Sequence, residues 1–576
     1  MTLPRPAVKL RAKITACRMP KFTLEERAML KRYVSSATDG VFAVTGLAGL
    51  TGAIYARYSR APGGFRETLL KEFINEGTID AQRAQNLIER VLIAFGDDSV
   101  GELEGAYVSF EGISMLATKE LEDRRIGGSP IEQSTRYVFY DRRDDDGNWL
   151  YVRPEGVMAS PYATAYIETM DFIFSTYAEL AEPMQEHYRG IKPIEGAEYD
   201  INGDGHKERL AELTDAGEIK AFRQTYRNDI RTKACDTLRY LLPLATKTNV
   251  GMFGNGRFFQ GLISHCLTSD LPEAQSLGHG AHTALDRIMP CYVRRAKRNE
   301  YLAGVPARMR QLADRLFSGR QPDMSMEVRL VDRGEQQVAL RLMRDEAVRD
   351  VMQDEADMLT LSHMLYPYTN LSLDQIRDRV RGLNAAEREE VINAYIGERK
   401  TRRDRPGRAF EAGYPYTFDL LTDWGTYKDL QRHRMTTQIR QKFSPLLGFS
   451  MPADLIAAGF ADRADECHRR SVALYELLHA DFPEEASYAT LHGSKVRWIM
   501  GLNDREAFHL IELRTTPQGH ASYRKVGQAM HRAIAERSPW RAAAMSFADH
   551  NDYLWARGDS EARQRVRERE LEKQTT

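Results

Sequence analysis

Cysteine is scarce in this chain of 576 residues, and the five cysteines are scattered along it. They are Cys17, Cys235, Cys266, Cys291 and Cys467. No CxxC pair and no spacing typical of zinc ligands occurs, so neither structural zinc nor a disulfide framework is expected, and no metal is predicted. Such sparse cysteines are typical of a reducing cytosol.

Long apolar runs and an excess of one charge are lacking as well. The longest apolar-leaning stretch, Val41–Tyr55, is too short and glycine-rich to span a bilayer, and no run of signal-peptide length precedes it. The 81 Lys and Arg nearly balance the 82 Asp and Glu, so no global field favours nucleic acid or anionic membranes. We expect a cytoplasmic protein that binds neither, in which a local cluster of Arg and Lys holds any anion.

The length favours two or more domains. Periodic apolar positions predict four long helices, over Tyr166–Leu180, Leu210–Leu242, Ala339–Leu365 and Arg463–Leu478. Strands are predicted at Ala106–Phe110, Arg136–Tyr140, Leu150–Val152 and Met326–Val331.

Two acidic segments, Asp141–Asn148 and Glu198–Glu208, are predicted to be polar loops. The second begins like a calcium-binding loop at Asp200. Because Ala211 stands where a bidentate Glu must close the cage, a solvated turn is the better interpretation.

The most informative pattern is an internal repeat. Asn255 and Arg257 are echoed by Asn503 and Arg505, 248 residues later, each pair preceding a predicted helix. Further upstream, a Phe and an Arg recur at an offset of 308 residues, Phe110 and Arg124 being matched by Phe418 and Arg432. The difference between the two offsets places an insertion in the first half, where the acidic loops lie.

Three segments carry side chains suited to a nucleotide or a flavin. The first, Glu132–Arg136, combines a carboxylate, an amide, hydroxyls and a guanidinium, which suits a nucleotide monophosphate. The alternative is a polar turn at a helix end, with Glu132 and Arg136 as an exposed ion pair.

The second segment, Asp429–Ser444, concentrates cationic side chains over a predicted two or three helical turns. They are Arg432, His433, Arg434, Arg440 and Lys442. Such a cluster suits phosphates or an anionic reduced flavin, and the alternative is a solvated basic helix face.

The third segment, Asn503–Tyr523, brings Asn503, Arg505 and His509 near one another on a predicted helix, with Arg514 beyond them. An ordinary surface histidine is the alternative interpretation of His509.

Together these segments resemble the flavin-dependent thymidylate synthases. The family pattern R-H-R-x-x-S-x-x-x-x-S-x-R aligns without a gap with residues 124–136, except that Arg125 and Ile126 replace its His and second Arg. The second half keeps Arg-His-Arg at 432–434, but Thr437 and Lys442 replace the two serines.

The downstream family positions are divided in the same complementary way. The first half has Arg239, Asn255 and Arg257 but Cys266 in place of the last Arg. The second half has Asn503, Arg505, His509 and Arg514 but Ser487 in place of the earlier Arg. The segment Ala56–Ser59 is similar to the family's flavin-phosphate segment, whereas Gly96–Leu103 lacks both histidines of another flavin segment.

The resemblance implies an α+β protein with two tandem domains, each a mixed sheet flanked by long helices. Residues 25–305 and 323–560 would be the domains and 306–322 a linker. Because each half lacks what the other keeps, we expect composite sites shared between the halves, in a homodimer shaped like the family's tetramer.

The implied reaction methylates dUMP to dTMP with methylenetetrahydrofolate, FAD and NADPH, so that dUMP and folate are the small-molecule substrates. The implied catalytic residues are Ser134, Arg136 and Arg514. The implied substrate-binding residues are Glu132, Gln133, Thr135, Arg239 and Arg432. The implied cofactor-binding residues are Ser59, Arg124, Asn255, Arg257, His433, Arg434, Asn503, Arg505 and His509.

Two alternatives stay open. One is a flavin-dependent modification of another nucleotide, such as hydroxymethylation, which Asp429 suggests because the family often has Gln there. The other is a catalytically silent nucleotide-binding scaffold, which the missing histidines favour.

Overall fold

The structure is a computed structural model that describes most of the chain. The described residues are 22–47, 50–59, 63–75, 78–79, 98–332, 346–400, 404, 407–556, 558–560, 562 and 566. The predicted flavin segment at 96–103 lies partly outside these residues.

The strands occur in two groups, one in each half of the chain. In the first half they are β1 (Ile74–Asn75), β2 (Thr78–Ile79), β3 (Gly105–Ser114), β4 (Gly128–Glu132), β5 (Glu198–Tyr199), β6 (Glu208–Arg209) and β7 (Lys247–Asn255). In the second half they are β8 (Val328–Asp332), β9 (Tyr416–Asp423), β10 (Thr437–Arg440) and β11 (Lys495–Leu502).

Helices make up most of the rest of the fold. Up to residue 316 they are α1 (Leu24–Leu30), α2 (Thr51–Tyr58), α3 (Phe65–Thr68), α4 (Met115–Glu122), α5 (Glu155–Met158), α6 (Ala163–Ile191), α7 (Ala216–Leu238), α8 (Gly256–Thr268), α9 (Pro272–Asp286), α10 (Pro290–Val293), α11 (Glu300–Ala303) and α12 (Val305–Leu316). Beyond it they are α13 (Glu346–Leu365), α14 (Leu373–Arg381), α15 (Ala385–Ile396), α16 (Trp424–Leu430), α17 (Ala453–Ala457), α18 (Ala461–His479), α19 (Asp504–Arg514), α20 (Ala521–Arg537) and α21 (Pro539–Ala544).

The two halves repeat one topology. The strand order is β3-β7-β4 in the first sheet and β9-β11-β10 in the second, where β8 adds a fourth strand beside β9. All these pairs are antiparallel. The predicted α+β class with two tandem halves is confirmed. The sheets are antiparallel rather than mixed, because α4 and α16 each return the chain to the far side of the central strand.

Helix capping explains why the repeated motifs recur. Asn255 and Asn503 each end a central strand and cap the following helix, accepting hydrogen bonds from the amides of Phe258 at 2.8 Å and Glu506 at 3.0 Å. An Asn side chain at this position satisfies an amide that the first helical turn leaves unpaired. The Asn-x-Arg repeat therefore marks the start of equivalent helices, α8 and α19.

The two halves share one core and meet at equivalent residues. The largest apolar cluster contains Tyr177 of the first half and Trp498 of the second. Pro243 and Leu491 pair with each other in an antiparallel bridge, and they lie 248 residues apart, like Asn255 and Asn503. Because this contact joins a position to its own repeat, it lies on a local twofold axis between the halves.

The insertion falls where the offsets predict it. Two long helices, α6 and α7, lie between β4 and β7, with the β5–β6 hairpin between them, whereas α18 is the one long helix described between β10 and β11. The loop before β6 is the predicted turn, since the carboxylate of Asp200 accepts from the amides of Gly203 and Gly205.

The four predicted helices are present, with shifted ends. Residues 339–345 of the third prediction lie outside the described residues, and the second begins six residues late, at Ala216. Among the strands, Ala106–Phe110 lies within β3, and Val328–Asp332 replaces the predicted Met326–Val331. Leu150–Val152 is reduced to a single bridge between Tyr151 and Thr246.

Two local predictions are wrong. Arg136–Tyr140 is a turn followed by irregular backbone, because the amides of Tyr137 and Val138 both bond to the carbonyl of Ser134. The basic segment is not a helix, since α16 ends at Leu430 and β10 begins at Thr437.

The domain boundaries stay a prediction. Much of the predicted linker, 306–322, is helix α12, whose Met309 is fully buried. Among the described helices, none combines the length and the apolar character that a membrane crossing requires.

Candidate functional site

Glu132 lies at the centre of a charge cluster formed by both halves. Its side chain is fully buried, 2.9 Å from Nζ of Lys428, 3.3 Å from Nζ of Lys119 and 3.4 Å from Nη2 of Arg432. Burial opposes ionisation, but these cations outweigh it and lower the pKa of Glu132 to about 2. Glu132 is therefore an ionised anchor for second-half cations, and an exposed Glu132–Arg136 pair is excluded.

Arg136 points to a different carboxylate. Its Nε and Nη2 donate to the two oxygens of Asp236 at 2.7 and 2.8 Å, and its Nη1 donates to Oη of Tyr523 at 3.3 Å. His520 lies on the same side, with Nε2 3.2 Å from the carbonyl oxygen of Asp236. Burial and then the charge of Arg239 lower the pKa of His520 to about 3, so this histidine is neutral.

Arg239 makes a third contact between the halves. It is 1% exposed, and its Nη1 donates to Asp429 at 3.1 Å. Although burial disfavours the charged carboxylate, Arg239, Arg136 and Arg432 hold the pKa of Asp429 well below its usual range. The Asp where the family often has Gln is thus the counter-ion of a buried first-half arginine.

Arg514 is held by a histidine instead of a carboxylate. Its Nε donates to Nε2 of His433 at 2.9 Å, and Nδ1 of His433 lies 2.8 Å from Oε1 of Glu506. Among the described residues, no carboxylate oxygen lies within 4 Å of the Arg514 guanidinium nitrogens. Burial and the nearby Arg432 charge lower the pKa of Arg514, against the opposing effects of Asp429 and Tyr523.

The remaining predicted substrate residues lie on the same loop. Gln133 exchanges hydrogen bonds with Asn249, Thr135 is buried, and the half-buried Ser134 accepts from the amide of Arg136 at 3.3 Å. The structure therefore brings the first-half loop to the second-half Arg432, His433 and Arg514 within one chain.

The predicted cofactor residues divide into two sets. In the second half, Arg434, Asn503, Arg505 and His509 are exposed. Asn503 caps α19, and Arg505 and His509 lie on that helix. Neither Arg434 nor Arg505 has an ion-pair partner in the described part of the chain.

The first-half set is occupied by contacts of its own. Arg124 donates to the carbonyl of Gly261 at 3.0 Å, Arg257 pairs with Glu102, and Ser59 donates to the carbonyl of Ala56. Asn255 caps α8 as described above. Arg124, Asn255 and Arg257 thus lie on or against α8. None of the four residues contacts Glu132 in the described ion pairs and hydrogen bonds.

The local twofold axis relates the Glu132 cluster to a second charge cluster. In this second cluster an arginine, Arg440, stands at the position equivalent to Glu132. Arg440 lies 2.6 Å from Glu120 and 3.5 Å from Asp123. Arg408 lies 2.9 Å from the same Asp123. This second cluster is filled by paired side chains.

One group could be considered for a metal ion. The ligand atoms of His433, Glu506 and His509 lie within 4.8 Å of one another, the only such group among the described residues. However, Glu506 and Arg514 occupy both ring nitrogens of His433, and the guanidinium repels a cation. We therefore assign no metal to it.

Several site residues escaped the sequence analysis. They are Lys119, Lys428, Asp236, Glu506, His520 and Tyr523. The repeat held a usable signal at one of them, because Lys428 stands 308 residues after Glu120 and so marks a reversal of charge between the halves. Asp236 and Tyr523 gave no comparable signal, since their partners are far away in the chain.

A cavity of about 780 Å³ opens beside Arg136 and Asp236. Its walls come from both halves and include Arg136, Asp236, Tyr240, Asp423, His520 and Ser522. The fold and the Glu132 cluster define a duplicated α+β protein in which residues of both halves form one buried charge cluster.

Comparison with known proteins identifies the family. Residues 52–290 and 348–540 match the family model described as thymidylate synthase complementing protein. Because the two segments cover most of the chain, it belongs to this flavin-dependent family, and the resemblance inferred from the motifs is confirmed.

Two relatives match this chain over nearly their whole length. A UPF0159 protein of Chlamydia muridarum (strain MoPn / Nigg) is 32% identical over 568 residues, covering 95% of this chain and 99% of its own. A UPF0159 protein of Thermoplasma acidophilum is 30% identical over 522 residues, covering 90% of this chain and 98% of its own. The matches therefore extend over both halves of this chain.

Proposed function

We propose that this protein is a flavin-dependent thymidylate synthase that methylates dUMP to dTMP with methylenetetrahydrofolate, FAD and NADPH. The observation that carries the proposal is Arg514, a half-buried guanidinium beside Arg432 with no carboxylate within 4 Å among the described residues. Two adjacent guanidinium groups, one of them lacking an acidic partner, suit a phosphate monoester.

The nucleotide phosphate would lie against Arg432 and Arg514, with Ser134 against the base. Arg136 would then stabilise negative charge that develops on the base during carbon transfer. Asp236 fixes this guanidinium with two parallel hydrogen bonds, so little reorganisation is needed when that charge appears.

The residues around the start of α19 fit the phosphates of FAD. Arg434 and Arg505 offer exposed cationic donors, and the amino terminus of a helix favours anions. FAD, when bound, supplies the redox chemistry of the reaction. Since the equivalent Arg257 is paired with Glu102, we propose one flavin and one nucleotide site per chain.

The test is incubation of the purified protein with FAD, NADPH, methylenetetrahydrofolate and dUMP, followed by mass analysis of the nucleotide. We expect dTMP, and we expect Arg514→Ala to abolish its formation. Bound flavin with unchanged dUMP would refute the substrate, and a protein that binds neither would be a silent scaffold.

A second candidate is modification of another nucleotide on the same site. The Asp429–Arg239 pair favours this second candidate. Arg239 donates to the carboxylate of Asp429, and that donor would otherwise face the ligand. Offering other pyrimidine monophosphates in the same assay separates the two candidates.

A further inference from the structure

Glu506, His433 and Arg514 form a hydrogen-bonded chain whose proton positions follow from chemistry. An arginine Nε carries hydrogen and is only a donor, so Nε2 of His433 must accept from Arg514. A neutral imidazole then carries its hydrogen on Nδ1, which donates to Oε1 of Glu506 at 2.8 Å. The ring is thus in one defined tautomer.

The surroundings keep that ring neutral. His433 is 4% exposed and Glu506 is 6% exposed. Burial and the charge of Arg514 lower the pKa of His433, against the opposing effect of Glu506. The other titratable group facing the ring is His509, whose ring centre is 5.4 Å away. A protonated His433 would lose the lone pair that accepts from Arg514.

The other copy of the repeat has lost all three members of the chain. At the positions equivalent to Glu506, His433 and Arg514 stand Phe258, Arg125 and Cys266. The hydrogen-bonded chain is therefore absent from the copy whose cluster is internally paired.

We propose that Glu506 is a positioning residue for Arg514. By fixing the Nδ1-H tautomer of His433, it orients the Arg514 guanidinium, which has Tyr523 beside it and no carboxylate oxygen within 4 Å among the described residues. That the anion bound by Arg514 is a nucleotide phosphate rests on the proposed function. The tautomer of His433 does not depend on the proposed function.

The experiment measures the two parts separately. In protein labelled with ¹⁵N-histidine, long-range ¹H–¹⁵N correlation reports which nitrogen of His433 is protonated, with His433→Gln identifying the signal. Binding of dUMP is measured by calorimetry for the wild type, Glu506→Gln, Glu506→Leu and the control Glu512→Gln. Glu512 lies on the same helix and accepts from the amide of Phe547.

We expect the wild type to show Nδ1-H. Glu506→Gln, whose amide oxygen still accepts, should keep this tautomer and bind dUMP within about threefold of wild type. Glu506→Leu should lose the single tautomer and bind dUMP roughly 10–100-fold more weakly, and Glu512→Gln should do neither.

An Nε2-H tautomer in the wild type, which needs no variant and no ligand, would overturn the inference. Unchanged tautomer and affinity in Glu506→Leu would overturn it as well. If the wild type shows Nδ1-H but binds no dUMP, the proposed substrate fails while the positioning of Arg514 by Glu506 stands.

Discussion

Glu132 and Lys428 form an ion pair 2.9 Å long across the two halves. At the equivalent positions, Arg440 and Glu120 form a 2.6 Å pair with the charges exchanged. An assembly of identical unfused subunits must carry the same residue at both positions, so it cannot make this exchange. A single chain that carries both copies can hold different residues at the two equivalent positions, as this one does.

Replacing Glu132 should be costly for stability. Glu132→Gln leaves the buried Lys428 beside a neutral group, whereas Lys119 keeps its ion pair with Glu122 at 2.5 Å. Removing one partner of a buried ion pair costs about 3–5 kcal/mol. Urea unfolding at pH 7 measures this loss. The surface change Glu182→Gln, which removes an exposed partner of Arg189, should have little effect.

The same carboxylate predicts a pH dependence. Its pKa of about 2 in the folded state lies below the ~4.3 of an unfolded Glu. Its contribution is therefore complete above about pH 4.3 and is lost as the pH falls towards 2, roughly 3 kcal/mol in all. The stability gap between wild type and Glu132→Gln should narrow across this window, and a constant gap would contradict the prediction.

The mirrored cluster predicts a rescue. Arg440→Glu places three carboxylates together with Glu120 and Asp123 and should destabilise the protein by about 3–5 kcal/mol. Adding Glu120→Lys recreates the polarity of the Glu132–Lys428 pair and should recover part of that loss. Unfolding of both single variants and the double variant measures the coupling, and strictly additive effects would show that the exchange is incidental.

Flavin binding should distinguish two equivalent arginines. Arg505→Ala removes an exposed donor at the start of α19 and should weaken FAD binding roughly tenfold or more. The matched control Arg257→Ala removes an arginine already paired with Glu102 and should leave binding unchanged. Titration followed by flavin absorbance measures both, and equal losses would instead indicate two flavin sites per chain.

Nucleotide binding should also depend on the second-half arginine and not on its first-half equivalent. Arg432→Ala is expected to weaken dUMP binding roughly 10–100-fold, because a charge-assisted contact to phosphate is lost. Its equivalent Arg124 donates to the carbonyl of Gly261, so Arg124→Ala should bind normally. Calorimetry gives both the affinities and the stoichiometry, expected to be one dUMP per chain.

The repeat offsets and the complementary motif losses were enough to predict the tandem fold and the family. They are local patterns: an Asn that caps a helix, or a loop that keeps its spacing, can be recognised wherever the chain places it. The same local patterns misassigned Arg136–Tyr140 and the basic segment, because their backbone is fixed by the carbonyl of Ser134 and by pairing of β10 with β11.

By itself, the sequence determined which residues each copy kept: the loop at 132–136 in the first half, and the arginines, His433 and the capped α19 in the second. Only the tertiary structure decided which carboxylate each cation meets. Glu132 and Lys428 are 296 residues apart in the chain, and Arg136 and Tyr523 are 387 apart. Contacts at such separations depend on how the halves pack. The sequence shows which side chains have groups that could pair, but only the packing decides which of these groups come within bonding distance.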